Sequence, residues 1–214
     1  MRKYVPACED WTEVNINSKL IDVIAQVSGR IFVGPDLCQD PEYLEYGRNY
    51  TVYVIEAVNA IKKIRSWLRP FVVPRMEEIK KLRTVEKKAA NFMEPIVRER
   101  VEAEKNDPNW QKPDDMMQWL LSRHAAQGDV SVEQIAKIQL GLIFAAVHTT
   151  SMTATNILYT LAVMPQYLEP LREEVRNAMH ENGGTITSRA LQQMVKLDSY
   201  MKEVTRVYPP GLSA

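Results

Sequence analysis

A chain of 214 residues, 45% of them hydrophobic, is long enough for one large domain or two small ones with an ample core. Its 27 basic and 27 acidic residues cancel to a formal net charge of +0, so nothing in the balance favours nucleic acid or an anionic membrane surface as partner. Cys8 and Cys38 are the only cysteines, which excludes a disulfide framework and any paired metal spacing, and His124, His148 and His180 are too dispersed for a helical metal pair.

No signal peptide or N-terminal anchor pattern follows Met1. With Ser18 as N-cap, Leu20, Ile21, Val23, Ile24 and Val27 recur at helical spacing, and Gly34-Pro35 closes this amphipathic helix. Asp40-Pro41 opens a second helix, with Pro at its first position, that runs through Tyr53, Ile55, Val58 and Ile61 toward Trp67 until Pro70 and Pro74 interrupt it. Met76 to Lys105 is rich in Glu, Lys and Arg; it reads as a helix with one solvated face, bent rather than ended at Pro95. Asn106-Asp107-Pro108-Asn109 and Lys112-Pro113-Asp114 are loops, and Met116, Met117, Trp119, Leu120 and Leu121 are core candidates on a short helix.

The stretch from Ser131 to Met164 organises the chain. Gly128-Asp129-Val130 forms a loop, and Ser131 with Gln134 makes a capping box. No Asp, Glu, Lys or Arg occurs from Ile138 to Met164, which is longer than the roughly 20 apolar residues that span a bilayer. Against a spanning helix, His148, Thr149, Thr150, Ser151, Thr153, Thr155 and Asn156 fall together at its middle, where lipid tolerates polar groups poorly. A central helix buried on every side is expected instead. Ala145 and Ala146 let a flat body approach the backbone. Thr149 can turn its hydroxyl onto the Ala145 carbonyl, and such back-bonding tends to bend or open a helix. Beyond it, Pro165 opens a helix through Met179, Gly183-Gly184 ends it, and Thr187 or Ser188 caps the next. Period-two alternation is scarce and no repeat occurs, so the fold class expected is all-α.

Ala145-Ala146-x-His148-Thr149-Thr150 resembles the central-helix motif of the cytochrome P450 haem-thiolate monooxygenases, Ala/Gly-Gly-x-Asp/Glu-Thr-Thr. At the family's spacing there follows Leu197-Asp198-Ser199-Tyr200-Met201-Lys202-Glu203-Val204-Thr205-Arg206-Val207-Tyr208-Pro209-Pro210, which contains Glu-x-x-Arg, and Met164-Pro165 with Leu171-Arg172-Glu173-Glu174-Val175 resembles the intervening helix. The resemblance covers nearly the whole chain and is strongest to the fungal branch that includes ent-kaurene oxidase-like enzymes. It implies the middle portion of the P450 fold, residues 1–214 being a single partial domain around a long buried central helix.

The resemblance further implies a haem cofactor and insertion of one oxygen atom of dioxygen into an apolar, terpenoid-like small molecule. Thr149 would be the proton-relay hydroxyl, with His148 and Thr150 beside it as catalytic candidates; Ala145 and Ala146 would lie against the cofactor, and Phe144 and Ala145 would line the substrate pocket. Read from the residues alone, the threonines can instead satisfy their own backbone, and His148, at a place commonly Asp or Glu in the family, is either a relay or a satisfied core side chain. Glu203 and Arg206 share a helix face; the family context makes them a buried structural ion pair. The family's haem ligand is the cysteine of a Phe-x-x-Gly-x-x-x-Cys-x-Gly loop, and neither Cys8 nor Cys38 stands in one, so no metal ligand is assigned and the chain alone is expected not to bind haem in the catalytic mode. The family's N-terminal helices, its early Trp-x-x-x-Arg propionate contact and its membrane anchor are not found either. An NADPH-dependent reductase as redox partner and an endoplasmic reticulum location are implied for the intact family member, with no nucleic acid. The alternative is a non-catalytic helical protein that binds a membrane or a partner through its uncharged segment.

Overall fold

The computed structural model describes residue 4 and residues 8–125 and 131–210, without the side chains of 124 and 125. The loop expected at Gly128-Asp129-Val130, the terminal Gly211-Leu212-Ser213-Ala214 and the His124 side chain lie outside the described residues. Among the described residues the regular elements are helices: α1 (Ile16–Phe32), α2 (Pro41–Lys62), α3 (Arg69–Val72), α4 (Glu77–Asn106), α5 (Met116–Ala125), α6 (Val132–Val163), α7 (Leu168–Glu181), α8 (Ser188–Gln193) and α9 (Val195–Val207). The all-α expectation holds. Contacts divide the chain into two compact units, Met1–His148 and Thr149–Ala214, the division falling within α6.

In the first unit α1 begins earlier than Ser18. Asn15 is the N-cap, its side chain accepting from the Ser18 N–H at 3.0 Å, because a cap satisfies the orphan donor three residues on and the chain offers two cap formers in succession. After α1, Gly34 adopts φ 94°, and a Cβ there would stand 2.8 Å from Asp115 Oδ2, so both backbone and space require glycine. Asp40 caps α2 as expected, accepting from Glu42 N–H at 2.8 Å with Pro41 at the start. α2 stops at Lys62, before Pro70; a 3-10 turn at Ser66–Leu68, the short α3 and a second turn at Val73–Arg75 follow.

α4 runs unbroken through Pro95. Pro95 and Asn91, whose carbonyl loses its ladder partner, are both exposed, so water can serve that carbonyl. The apolar face of α4 buries Ile79, Ala89, Met93 and Val97, and the last three join Ala25, Tyr43, Met117, Leu121, Ile135, Leu140, Ile143 and Val147 in one cluster. Trp119, expected in the core, is 52% exposed. Its place on α5 turns it away from the Met117 and Leu121 face, and its indole donates to Asp114 Oδ1 at 3.1 Å. Arg100 and Asp115 lock this unit. Arg100 donates from Nη1 and Nη2 to the two Asp115 oxygens at 2.7 and 2.8 Å and from Nη2 to the Val33 carbonyl at 3.3 Å, while Asp115 Oδ1 also accepts the Gln118 N–H at 2.8 Å, capping α5.

α6 is not buried all round. In the first unit Ile135, Ala136, Gln139, Leu140, Ile143 and Val147 are buried, while Lys137, Ile138, Gly141, Phe144 and Ala145 are exposed. With 100° between residues, a packed layer on one side covers only the i, i+4 row. The Ser131 half of the capping box forms, Gln134 N–H donating to Ser131 Oγ at 3.4 Å. By length and composition α6 could cross a membrane.

In the second unit Pro165 starts a 3-10 turn, Pro165–Tyr167, that leads into α7. Gly183 and Gly184 follow α7 at φ 71° and 77°, and Gly184 N–H returns to the Met179 carbonyl at 2.8 Å. Thr187 caps α8 through the Ala190 N–H. Glu174 of α7 caps α9, its two oxygens each accepting at 2.8 Å from Lys196 N–H and Leu197 N–H. Ala178, Ala190 and Met194 form this unit's buried cluster.

Candidate functional site on the central helix

The residues singled out in the sequence fall on both sides of the division within α6. In the first unit Phe144 and Ala145 are exposed, Ala146 is half-buried, and Val147 is fully buried in the core. A Cβ added to Gly141 would meet nothing within 4 Å, so the helix surface one turn before Ala145 is open. The buried row that ends on Val147 anchors this half of the helix, which is why the opposite row, Lys137, Gly141 and Ala145, is presented.

His148 closes the first unit, half-buried. Its Nε2 lies 3.1 Å from the carbonyl oxygen of Arg48 in α2. The sequence held no signal for this contact, because a backbone acceptor leaves no mark on residue type. Arg48 also reaches Asp22 of α1 through its Nε. The buried Arg100–Asp115 pair was missed for a related reason: Asp115 sits at a loop edge where an acidic residue is unremarkable by composition.

The second unit opens on Thr149 and Thr150, both exposed, followed by the buried Ser151 and Thr155 one turn apart. Hydroxyls in this half turn back onto the helix: Thr153 donates to the Thr149 carbonyl at 3.0 Å, Thr155 to Ser151 at 2.7 Å and Thr160 to Asn156 at 2.6 Å. The helix is nevertheless continuous. Each carbonyl has two lone pairs, so a hydroxyl can be added without displacing the ladder N–H, and the expected opening does not occur.

Glu203 and Arg206 do make a bidentate pair on α9, Nε to Oε2 at 2.8 Å and Nη2 to Oε1 at 2.7 Å. Here it is not buried, with side chains 62% and 70% exposed, because α9 buries Val204 and leaves the neighbouring faces open. The guanidinium hydrogen bonds hold the Glu203 carboxyl below its ordinary range. A cleft of about 790 Å³ runs beside it, lined by Tyr167, Leu171, Tyr200, Val204 and Val207 among others. Burial pushes the Tyr200 hydroxyl up, and that hydroxyl donates to the Ile157 carbonyl at 3.5 Å.

The Cys38 thiol is not presented as a ligand. Cys38 is 3% exposed and donates its thiol to the Pro35 carbonyl at 3.1 Å, and burial raises its pKa, so the thiolate that would bind a metal is disfavoured. Cys8 is exposed in the segment before α1. Among the described residues no group of three His, Cys, Asp or Glu side chains could hold a metal ion.

The family model for cytochrome P450 matches residues 6–213. Cytochrome P450 monooxygenase TES1 of Alternaria alternata is 43% identical over 206 residues, 96% of this chain and 40% of that protein. Cytochrome P450 monooxygenase ATR3 of Stachybotrys chlorohalonatus is 34% identical over 100% of the chain and 45% of its own length. Cytochrome P450 monooxygenase braC of Annulohypoxylon truncatum is 36% identical over 97% of the chain and 42% of its own length. The chain thus spans less than half the length of these curated relatives.

Proposed function

This chain belongs to the cytochrome P450 family, and we propose that it carries the distal wall of a haem-thiolate monooxygenase site, with Thr149 as the residue that hands on protons. The family implies haem. The residues present fit one side of such a group: in the first unit Gly141 and Ala145 leave an exposed stretch of α6 without bulk, so a flat macrocycle could lie against the backbone there. They do not fit its axial coordination, since the Cys38 thiol is buried against a carbonyl and Cys8 stands in no ligand loop. When bound, a haem with an axial thiolate supplies the oxygen-activating chemistry.

What the chain's own groups do is narrower. Ala145 and Ala146 set how closely the cofactor approaches. Thr149 Oγ1 can accept a proton from water and donate one into the site, a relay that needs no ionised side chain. Phe144 offers an exposed apolar ring to a small apolar substrate, and Thr150 stands beside the relay. The relatives, fungal cytochrome P450 monooxygenases by name, support a monooxygenase reaction, and an apolar secondary metabolite as its substrate is part of this proposal. A reductase as electron donor and attachment to the endoplasmic reticulum membrane belong to the same reading.

Thr149, exposed in the second unit and standing at the first Thr of the family's motif, carries this proposal. Its test is a Thr149 series in the haem-loaded protein that contains this chain, reading product formed per reductant consumed. Thr149→Ala is expected to lower that ratio on the order of 10²-fold, while Thr149→Ser keeps it near the starting value. Equal coupling in Thr149→Ala and the parent overturns the role.

A further inference from the structure

Where the family's motif commonly has Asp or Glu, this chain has His148, and what the ring faces decides what it can do. Its Nε2 lies 3.1 Å from the carbonyl oxygen of Arg48, in the interior of α2. Inside a helix that oxygen already accepts the N–H four residues on and keeps a second lone pair. A carbonyl carries no proton, so the ring can meet it only as a donor. Nε2 therefore holds a hydrogen, and in the neutral ring Nδ1 holds the lone pair. A carboxylate at this position could not make the contact, because two acceptors facing one another repel.

The carbonyl is itself well held. The Arg48 guanidinium donates to Asp22 of α1, so residue 48 is tied to α1 by its side chain and to α6 by its backbone oxygen. Val147, next to His148, is 1% exposed in the core, which places the ring at the rim of the packed layer. All of these groups belong to the first unit.

We propose that His148 is a positioning residue: an N–H donor, protonated at Nε2, that fastens α6 to α2 at the turn from which residue 149 follows. It does not stand in for an acidic relay. The assignment rests on the proposed role of Thr149 only for its catalytic consequence. The contact itself can be tested without haem.

The test uses the 214-residue chain labelled with nitrogen-15 at histidine, at mildly alkaline pH. A hydrogen-bonded ring proton exchanges slowly enough to be seen by magnetic resonance, whereas a solvent-exposed one is averaged away. A ring N–H on Nε2 of His148 is expected, one that persists in the His124→Gln, His180→Gln double variant and disappears in His148→Gln. A ring proton on Nδ1 of His148, or none visible, overturns the proposal, and this measurement needs no variant of His148 to fold. In a second arm, amide hydrogen exchange is followed in α2 around Arg48. His148→Gln, whose side-chain amide can still donate, keeps the parent's protection; His148→Glu and His148→Ala lose about tenfold, the loss expected when one hydrogen bond is removed. Protection in His148→Glu equal to that in His148→Gln overturns the donor assignment. Because haem takes no part in either readout, failure of the Thr149 role leaves both results unchanged.

Discussion

Asp115 shows how much one side chain can hold. Its carboxylate is 2% exposed, receives both Arg100 nitrogens, caps α5 and lies where any Cβ on Gly34 would intrude. Removing one partner of a buried pair leaves the other charge uncompensated, which costs about 3–5 kcal/mol. Asp115→Ala is therefore expected to lower the unfolding free energy of the first unit by about that amount, and the double replacement Arg100→Met with Asp115→Leu to recover part of it. Equilibrium denaturation of the single and double variants checks this; a double variant no more stable than Asp115→Ala would show that the loss comes from the cap rather than the stranded charge. At the same scale, His148 illustrates a limit of sequence reading. Residue type marked the departure from the family's acid, but the Arg48 carbonyl that gives the departure its meaning is contributed by a backbone 100 residues away.

At the scale of helices, α2 carries three tyrosines whose environment links pH to stability. Burial raises the pKa of Tyr43, Tyr46 and Tyr50 above 10.0, with a further push on Tyr46 from its hydrogen bond to Glu42. The unfolded chain then releases these protons at lower pH than the folded one, so stability is fully present below about pH 10 and falls as pH rises past it. The part of the tyrosinate absorbance that is lost on replacing Tyr43, Tyr46 and Tyr50 by Phe is expected to appear together with loss of helix rather than before it, and Tyr46→Phe should shift the alkaline transition to higher pH. Ionisation of all three at their ordinary value in a still-folded chain would contradict this account. The helices themselves were largely legible: Asp40-Pro41, Gly183-Gly184 and Thr187 are local chemistry, and local chemistry needs no knowledge of the fold. What could not be read was which faces end up covered. Trp119 and the outer row of α6 look like core by composition, and only the packing of neighbours decides that they are exposed.

For the whole molecule, the 214 residues form two units and span less than half the length of the relatives they match. The motif on α6 and the Glu203–Arg206 pair were readable because each is a short run within one helix. The haem ligand was not, because neither cysteine has its setting. We propose that this chain offers one wall of a haem site and that neither Cys8 nor Cys38 supplies the thiolate. The most direct measurement is a carbon-monoxide difference spectrum of the chain reconstituted with haem, taken alone and again when joined to a segment bearing the family's cysteine loop. The prediction is a thiolate-type Soret band only in the joined protein, surviving Cys8→Ser and Cys38→Ser there; such a band from the 214 residues alone, lost on either serine replacement, would contradict the claim.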